Sequence, residues 1–264
     1  TISKLGSFKY YNNTNQMKNI LTFFVVSVSI LLVSCKKEQD SSKKGNVNLS
    51  FNHKVGTEKL EFNIIKYTTP AGHDYEIRTL KYFISNITFS KTDGSKVVYE
   101  KPIYIDAETP STLNYNNIRL PIGFYESIGI TFGIDSLMNI TDTLTTVEEA
   151  SMAWPEGNQG GGYHYMKLEG TYDSLGVDSI NRNYNIHTGP MMGNSFDVKV
   201  TFDNSAFTIN EDGMNFEITM DINEWFTNPH NYDFADYGHM IMMDMTAQMQ
   251  LKENGSSVFS ILVD

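Results

Sequence analysis

The sequence predicts an all-β fold, a single β-sandwich with elaborated loops and one short C-terminal helix. After residue 46, apolar and polar residues alternate in several short runs, and each run ends at Gly, Asn, Asp or Pro. This period of two is typical of strands that bury one face. A stretch of roughly 220 residues with this pattern is an ordinary size for one all-β domain.

The strongest strand signals are four alternating runs and one hairpin turn. Asp93-Gly94 separates a strand-like segment at 84–90 from another at 97–99, and Asp-Gly is a favoured hairpin turn because both positions tolerate positive φ. The alternating runs are Val47, Leu49 and Phe51; Ile128, Ile130, Phe132 and Ile134; Phe196, Val198, Val200 and Phe202; and Phe216, Ile218, Met220 and Ile222.

One segment, from Asp236 to Gln250, is predicted to be helical. Met242, Met245 and Met249 fall at i, i+3 and i+7, and Asn254-Gly255 ends the pattern. We expect the helix to bury this methionine stripe against the sandwich, because methionine fills irregular gaps in apolar cores.

The N-terminal part resembles a lipoprotein signal peptide. Met17 precedes the apolar core Ile20 to Val33, whose 14 residues are too few to cross a bilayer comfortably. Leu32 to Cys35 resembles a bacterial lipobox, so we expect Cys35 to become a lipidated first residue. The alternative is a buried or free thiol.

These signals divide the chain into four parts. Residues 1–16 are an upstream extension, 17–34 the signal peptide, 35–45 the lipidated cysteine with a polar linker, and 46–264 the sandwich domain. A lipidated bacterial cysteine carries more than one anchoring chain, which is what stable attachment needs. We expect the lipid alone to hold the protein to the outer membrane of the cell envelope, on the periplasmic or the surface face.

The charge of the predicted domain excludes one class of partner. Residues 48–264 carry 13 Lys and Arg against 29 Asp and Glu. A strongly acidic surface repels phosphate backbones, so nucleic acid is not expected to bind.

Sequence signatures of enzymes are absent. The chain contains no G-x-S-x-G elbow, no phosphate loop, no H-E-x-x-H and no C-x-x-C. A carboxylate pair assembled by folding is left open, but the chain is predicted not to be an enzyme.

Six histidines and 13 methionines supply donors for metals of intermediate or soft character. Imidazole suits copper, zinc, iron and nickel, whereas thioether sulfur favours cuprous copper. For His239 and the methionines beside it, a copper relay competes with the buried stripe, and the stripe is favoured. The methionines of this segment are Met240, Met242, Met243 and Met245.

Three histidines lie in strand-like or turn-flanking positions. Alternation from Tyr163 to Leu168 places His164 on the face of Met166, so His164 is expected to point inward. His53 and His187 each lie beside a turn. For each of them, a hydrogen-bonded structural role remains the alternative to metal ligation.

Seven motifs, in order along the chain, resemble the MbnP family. They are F-N-H-x-V-G at Phe51 to Gly56, K-Y-F-I-S-N-I at Lys81 to Ile87, G-I-D-S at Gly133 to Ser136, M-A-W-P at Met152 to Pro155, G-Y-H-Y-M-K-L-E-G at Gly162 to Gly170, H-T-G at His187 to Gly189, and N-G-S-S-V-F-S-I at Asn254 to Ile261. The resemblance therefore covers nearly all of the chain after the linker.

The resemblance implies a copper-binding protein outside the cytoplasm that acts in copper uptake, storage or handling. It also implies a site of histidines with a tryptophan that a di-haem cytochrome c peroxidase-like oxidase converts to kynurenine. Carried onto this chain, the ligands are His53, His164 and His187, and the tryptophan is Trp154.

The chain departs from the family pattern at one position. Many members read M-x-W-x-W before the G-Y turn, whereas here Glu156 stands at the second tryptophan position. If the oxidised residue is the second tryptophan, this chain lacks it.

Two other functions are compatible with the sequence. The first is a surface lipoprotein that binds a glycan or a protein through an aromatic platform. The platform residues would be Trp154, Tyr163, Tyr165 and Trp225. The second is a metal-dependent enzyme.

Overall fold

The computed structural model describes residues 8–11, 43–175 and 180–264. The expected signal peptide, Cys35 and most of the expected linker lie outside the described residues. None of the helices in the described ranges is long and apolar enough to cross a membrane.

Strands dominate the described chain, as predicted. In chain order they are β1 (Phe8–Tyr11), β2 (Lys44–Val55), β3 (Glu58–Lys59), β4 (Tyr67–Thr68), β5 (Asp74–Ser90), β6 (Lys96–Tyr99), β7 (Ile103–Asp106), β8 (Asn114–Pro121), β9 (Gly123–Tyr125), β10 (Ser127–Phe132), β11 (Met166–Asp173), β12 (Asn181–Thr188), β13 (Val198–Phe202), β14 (Phe207–Ile209), β15 (Met214–Asp221) and β16 (Phe259–Val263). The α-helices are α1 (Val147–Ala150), α2 (Phe234–Tyr237) and α3 (Met245–Asn254), and three 3-10 turns cover Pro110–Thr112, Gly157–Gln159 and Ile222–Phe226.

The larger sheet is organised around β5, the longest strand. Its 17 residues pair with β4, β6, β7, β10 and β11, all antiparallel. Beyond these neighbours, β13 pairs with β10, β12 pairs with β11, and β1 pairs with β6. The strand β1 lies in the segment expected to precede the signal peptide, so cleavage at Cys35 would remove it and leave β6 at an edge.

The smaller sheet has the order β16-β15-β2-β3, and β8 also pairs with β2, along the same edge as β3. Its central pair, β2 and β15, is parallel, whereas its other pairs are antiparallel. A separate short ladder joins β9 and β14.

The two sheets face each other across an aromatic core, which confirms the sandwich. Phe132 of the larger sheet lies 5.7 Å from Phe259 of the smaller one, measured between ring centroids, and Tyr82 lies 6.5 Å from Phe259. The alternating runs supply this core: for example, Val47, Leu49 and Phe51 are all buried. Each fully buried side chain of this size contributes about 1.5–3 kcal/mol by leaving water.

The predicted hairpin turn is also confirmed. Asp93 and Gly94 lie in the loop between β5 and β6, where Gly94 has a φ of +81°. A side chain is strained in this left-handed region, and glycine adopts it readily.

The helix prediction is wrong in its bounds and in its buried face. Helix α2 ends before Gly238, whose φ is +68°, and α3 starts only after Asp244, whose carboxylate accepts hydrogen bonds from the first turn. The segment between them is not helical. Helix α3 continues past the predicted end at Gln250 and stops at the predicted Asn254-Gly255 signal. It buries Ala247, Gln248, Leu251 and Asn254. Met245 and Met249 are exposed.

Candidate metal centre

A folded-back loop, residues 152–165, brings a tryptophan against a histidine. The Trp154 amide donates to the Gly162 carbonyl at 2.8 Å, and the His164 amide donates to the Met152 carbonyl at 2.7 Å. Gly160, Gly161 and Gly162 all have positive φ, which lets the chain reverse between these two ladder bonds. A Cβ at Gly162 would also lie 2.6 Å from the side chain of Asn139. The three glycines therefore allow the loop to place the ring of Trp154 against the ring of His164.

His164 is buried and keeps one ring nitrogen unpartnered. Its Nδ1 lies 2.9 Å from the Met152 carbonyl oxygen, which can only accept, so Nδ1 carries the proton. Its Nε2 is buried without a hydrogen-bond partner among the described residues. Burial lowers the pKa of His164 from 6.5 to about 3. The imidazole is neutral at physiological pH, and Nε2 presents an unused lone pair.

The rings of Trp154 and His187 enclose His164. The ring centroid of His164 lies 4.7 Å from that of Trp154 and 5.0 Å from that of His187, both edge to face. His187 pairs with Lys167 in the ladder of β11 and β12, so it lies on the sheet face opposite Met166. Burial of His164 is thus as predicted. The predicted sheet face of His164 is wrong. Residues 164 and 165 precede the regular strand, so the alternation does not extend to them.

His187 is oriented by a carboxylate and by its own backbone. Its Nε2 lies 2.6 Å from Oε1 of Glu169, and this hydrogen bond is the main reason that the pKa of Glu169 is lowered. The His187 carbonyl accepts from the Gln248 side chain at 2.8 Å. The contact with Glu169 occupies Nε2, so Nδ1 is the nitrogen that remains for a metal.

Trp154 is buried over a residue that has no side chain. Its indole Nε1 donates to the Gln159 carbonyl at 2.8 Å, which fixes the ring within its loop. A Cβ built on Gly189 would lie 2.6 Å from the ring carbon Cε3 of Trp154. The H-T-G motif therefore supplies a histidine and also the space that the tryptophan occupies.

His53 lies elsewhere, in the core between the two sheets. Its side chain extends from β2, and Nε2 lies 3.0 Å from the Tyr82 hydroxyl of the larger sheet. Burial lowers the pKa of His53 from 6.5 to about 4. Of the three histidines proposed from the sequence as ligands, the structure brings together His164 and His187, and it places His53 in a polar contact that joins the sheets.

The remaining histidines have structural or surface positions. Both ring nitrogens of His73 are bonded, to the Asp173 carbonyl at 2.9 Å and to the Asp233 carboxylate at 2.8 Å. His230 pairs with Glu253 at the surface, and His239 is exposed.

The proposed aromatic platform is not on the surface. Tyr163, Tyr165, Trp154 and Trp225 are each at most 3% exposed. Stacking on a glycan requires accessible ring faces, and these rings are packed in the interior. This arrangement removes the observation on which the glycan-binding alternative depended.

Sequence reasoning missed several residues of the centre. Glu169 lies within the G-Y-H-Y-M-K-L-E-G motif, and its alternation with Lys167 placed it on the face that proved to carry His187. Gly189 lies within the H-T-G motif, but its role and that of Gln248 depend on tertiary contacts and could not be predicted. No cluster of three or more His, Cys, Asp or Glu positioned to hold a metal occurs in the described ranges.

Comparison with known proteins assigns the family. A sequence model of the MbnP family matches residues 44–244. The chain belongs to the MbnP family. Among solved structures, MbnP from Methylosinus trichosporium is similar, with a TM-score of 0.54 and 11% identity, over 84% of this chain and 99% of that chain. At this identity the similarity establishes a shared fold. No curated protein matches the chain.

The MbnP family match covers the aromatic and histidine residues of the candidate centre and ends before Gln248. It includes the loop with Trp154 and His164, the strand with His187, and also His53, whereas Cys35 precedes it.

Proposed function

We propose that this MbnP-family protein binds copper at His164 and His187, and that it acts in copper uptake, storage or handling without turnover of its own. The observation that carries the proposal is the buried Nε2 of His164, which has no hydrogen-bond partner in the described part of the chain and belongs to a ring packed against the rings of Trp154 and His187. A buried polar atom without a partner is costly, and a bound ion is one explanation for it. Thr188, Trp225 and Gln250 also have such atoms, but only in His164 is the atom an imidazole nitrogen with a free lone pair.

The chemistry of this nitrogen fits a soft or borderline metal. Neutral imidazole is a ligand and imidazolium is not, and desolvation keeps His164 neutral far below physiological pH. The proton on Nδ1 is held by the Met152 carbonyl, so the tautomer with its lone pair on Nε2 is selected before any metal arrives.

The second nitrogen would come from His187. A metal-ligating histidine commonly donates its other N–H to a carboxylate, and Glu169 stands at that position. The negative charge of Glu169 would offset the charge of a cuprous ion in a partly buried site. Two neutral imidazoles beside an aromatic ring suit cuprous copper better than hard cations, which prefer oxygen ligands.

Trp154 would line the site in either chemical form. The unmodified indole has no lone pair available for a metal, so it can only pack against the ion. Opening of the ring to kynurenine would supply an amine and a ketone beside His164. We propose that a di-haem oxidase of the same cell acts on Trp154, because position 156 is a glutamate with no indole ring to open, whereas Trp154 is part of the buried centre.

The same proposal includes attachment to the membrane by lipid. The lipobox at Leu32 to Cys35 supports a lipoprotein at the outer membrane, in a compartment where a copper site of this kind meets incoming metal.

Metal analysis of protein purified without added metal, followed by anaerobic competition with a cuprous chelator, tests the proposal. We expect one copper per chain, bound tightly enough to compete with the chelator. Protein that takes up zinc in preference, or no metal at all, would contradict it.

A further inference from the structure

Several methionine side chains are exposed on the described surface. Exposed large apolar residues include six methionines, and four of them lie between residues 240 and 249. The six are Met138, Met192, Met240, Met243, Met245 and Met249. The sequence pattern predicted that the last group would be buried, so packing does not explain why this segment is rich in sulfur.

The first of these methionines lies on the same sheet face as the histidine pair. Met240 forms a parallel bridge with Asn185 of β12, and the Asn185 amide donates to the His239 carbonyl at 2.9 Å. Bridge partners point to the same face, and in β12 that face also carries His187, two residues further along. Two residues of strand span about 6.6 Å. Met240 is therefore exposed on the sheet face that carries His187, next to β12.

The loop that carries Met240 and Met243 is held in place at both ends. Its first end is the bridge to β12. At its second end, Asp244 caps α3, and Gln248 of that helix donates both to the Ile241 carbonyl at 3.3 Å and to the His187 carbonyl at 2.8 Å. The buried side chain of Gln248 thus connects the backbone of the methionine loop to the backbone of His187.

We propose that Met240 and Met243 form a surface thioether site that takes up cuprous copper and passes it to His187 and His164. This inference rests on the proposed function of the histidine pair. Thioether sulfur prefers cuprous copper and needs no deprotonation to bind it, so the donors are ready at any physiological pH. The transfer is a ligand exchange in which copper–sulfur bonds break as copper–nitrogen bonds form, with no change of oxidation state.

Nuclear magnetic resonance of methionine methyl groups tests the surface site directly. Full-length protein labelled with ¹³C at these methyls is titrated anaerobically with cuprous ion delivered by a weak chelator, and single Met→Leu variants assign the signals. In a variant with both His164→Ala and His187→Ala, we expect the signals of Met240 and Met243 still to shift on addition of copper. The signal of Met249, on the outer side of α3, is the control and should stay in place.

Loading kinetics test the transfer. Leucine keeps the size and apolar character of methionine and removes the sulfur, so Met240→Leu with Met243→Leu should fold normally. We expect the final copper affinity to be unchanged and loading to slow by about tenfold, the lower end of what outer-shell groups contribute to metal sites. Met249→Leu should load like the wild type.

The outcomes separate this inference from the proposed function. Two results would overturn the thioether site while the histidine pair could still bind copper. The first is a wild-type loading rate in the double leucine variant, and the second is the absence of any copper-induced shift in the methyl signals of Met240 and Met243. Methyl shifts without tight binding in the wild type would support the thioether site and contradict the histidine centre.

Discussion

Gly189 lies directly beneath the indole ring of Trp154, where a single added methyl group would come within 2.6 Å of a ring carbon. The φ of Gly189 is not in the left-handed region, so the constraint on this position is space and not backbone conformation. The glycine of the H-T-G motif and the tryptophan of the M-A-W-P motif are therefore one packing unit.

We predict that Gly189→Ala displaces Trp154 and destabilises the fold by about 1–3 kcal/mol, the usual effect of overpacking. Denaturant unfolding followed by tryptophan fluorescence measures this effect. The smaller ring in Trp154→Phe should leave room for the methyl group, so the double variant should lose less stability than the sum of the two single variants. Additive losses would show that the two residues do not share this contact.

Copper affinity should depend on two histidines and one carboxylate. His164→Ala and His187→Ala should each weaken binding by more than the 10- to 100-fold that outer-shell changes typically produce, whereas Glu169→Gln should fall within that range. Chelator competition measures all three. His230→Gln removes an exposed imidazole and serves as the control, and His53→Gln should also retain copper. If His53→Gln weakened copper binding as much as the other two histidine variants do, His53 would also be a ligand.

Acid should destabilise the copper-free protein partly through His53. In the folded state its pKa is lowered by burial to about 4, from the ordinary 6.5. The unfolded state therefore binds the proton more readily between these values, and stability is lost as pH falls through this window. A shift of this size corresponds to about 3 kcal/mol between pH 7 and pH 4.

Urea unfolding at several pH values checks this sign and magnitude. His53→Gln should show a shallower loss of stability on acidification, whereas His230→Gln should behave like the wild type. An unchanged slope in the His53 variant would contradict a buried neutral His53.

Processing should depend on the cysteine of the lipobox. Cys35→Ser removes the thiol that lipid transfer requires, so the variant should leave the membrane fraction or accumulate as precursor. Fractionation and gel mobility measure this. A variant that behaves like the wild type in both would argue against the lipoprotein assignment.

Oxidation should be found at Trp154 in cells that express a di-haem oxidase. Peptide mapping by mass spectrometry should locate a kynurenine at this position, and the intact mass should return to the unmodified value when the oxidase is deleted. Trp225 is fully buried in the core and serves as the internal control. An unmodified Trp154 in the presence of the oxidase would restrict its role to packing.

The sequence was sufficient to predict the sandwich because period-two patterns report burial directly. Runs such as Phe216 to Ile222 alternate because one face meets the opposite sheet, and no long-range information is needed to see this. The prediction of a helix that buries methionines was wrong because its pattern carries less information. Spacing at i, i+3 and i+7 shows that residues share a helical face, but it does not say whether that face is buried or exposed.

The candidate site could be predicted only in part. His164 and His187 are separated by a hairpin whose register the sequence does not specify, so their ring contact was not predictable. His53 lies in an equally suggestive motif, yet its strand belongs to the other sheet. Local sequence identifies residues capable of ligation, and tertiary pairing selects among them.

The parallel pairing of β2 with β15 sets an order on the maturation of this protein. Asn48 and Asn215, which bond across these strands at 2.8 Å, are 167 residues apart in the chain. The larger sheet can assemble mainly from β5 and later antiparallel partners, but β2 cannot find its central neighbour until the end of the chain is available. Contacts of such long range form slowly because closing the intervening loop is entropically costly. A chain that emerges N-terminus first can pair one edge of β2 early, with β3 and β8, but the opposite edge stays unpaired until β15 has been made, so this edge of the smaller sheet is the last to be protected.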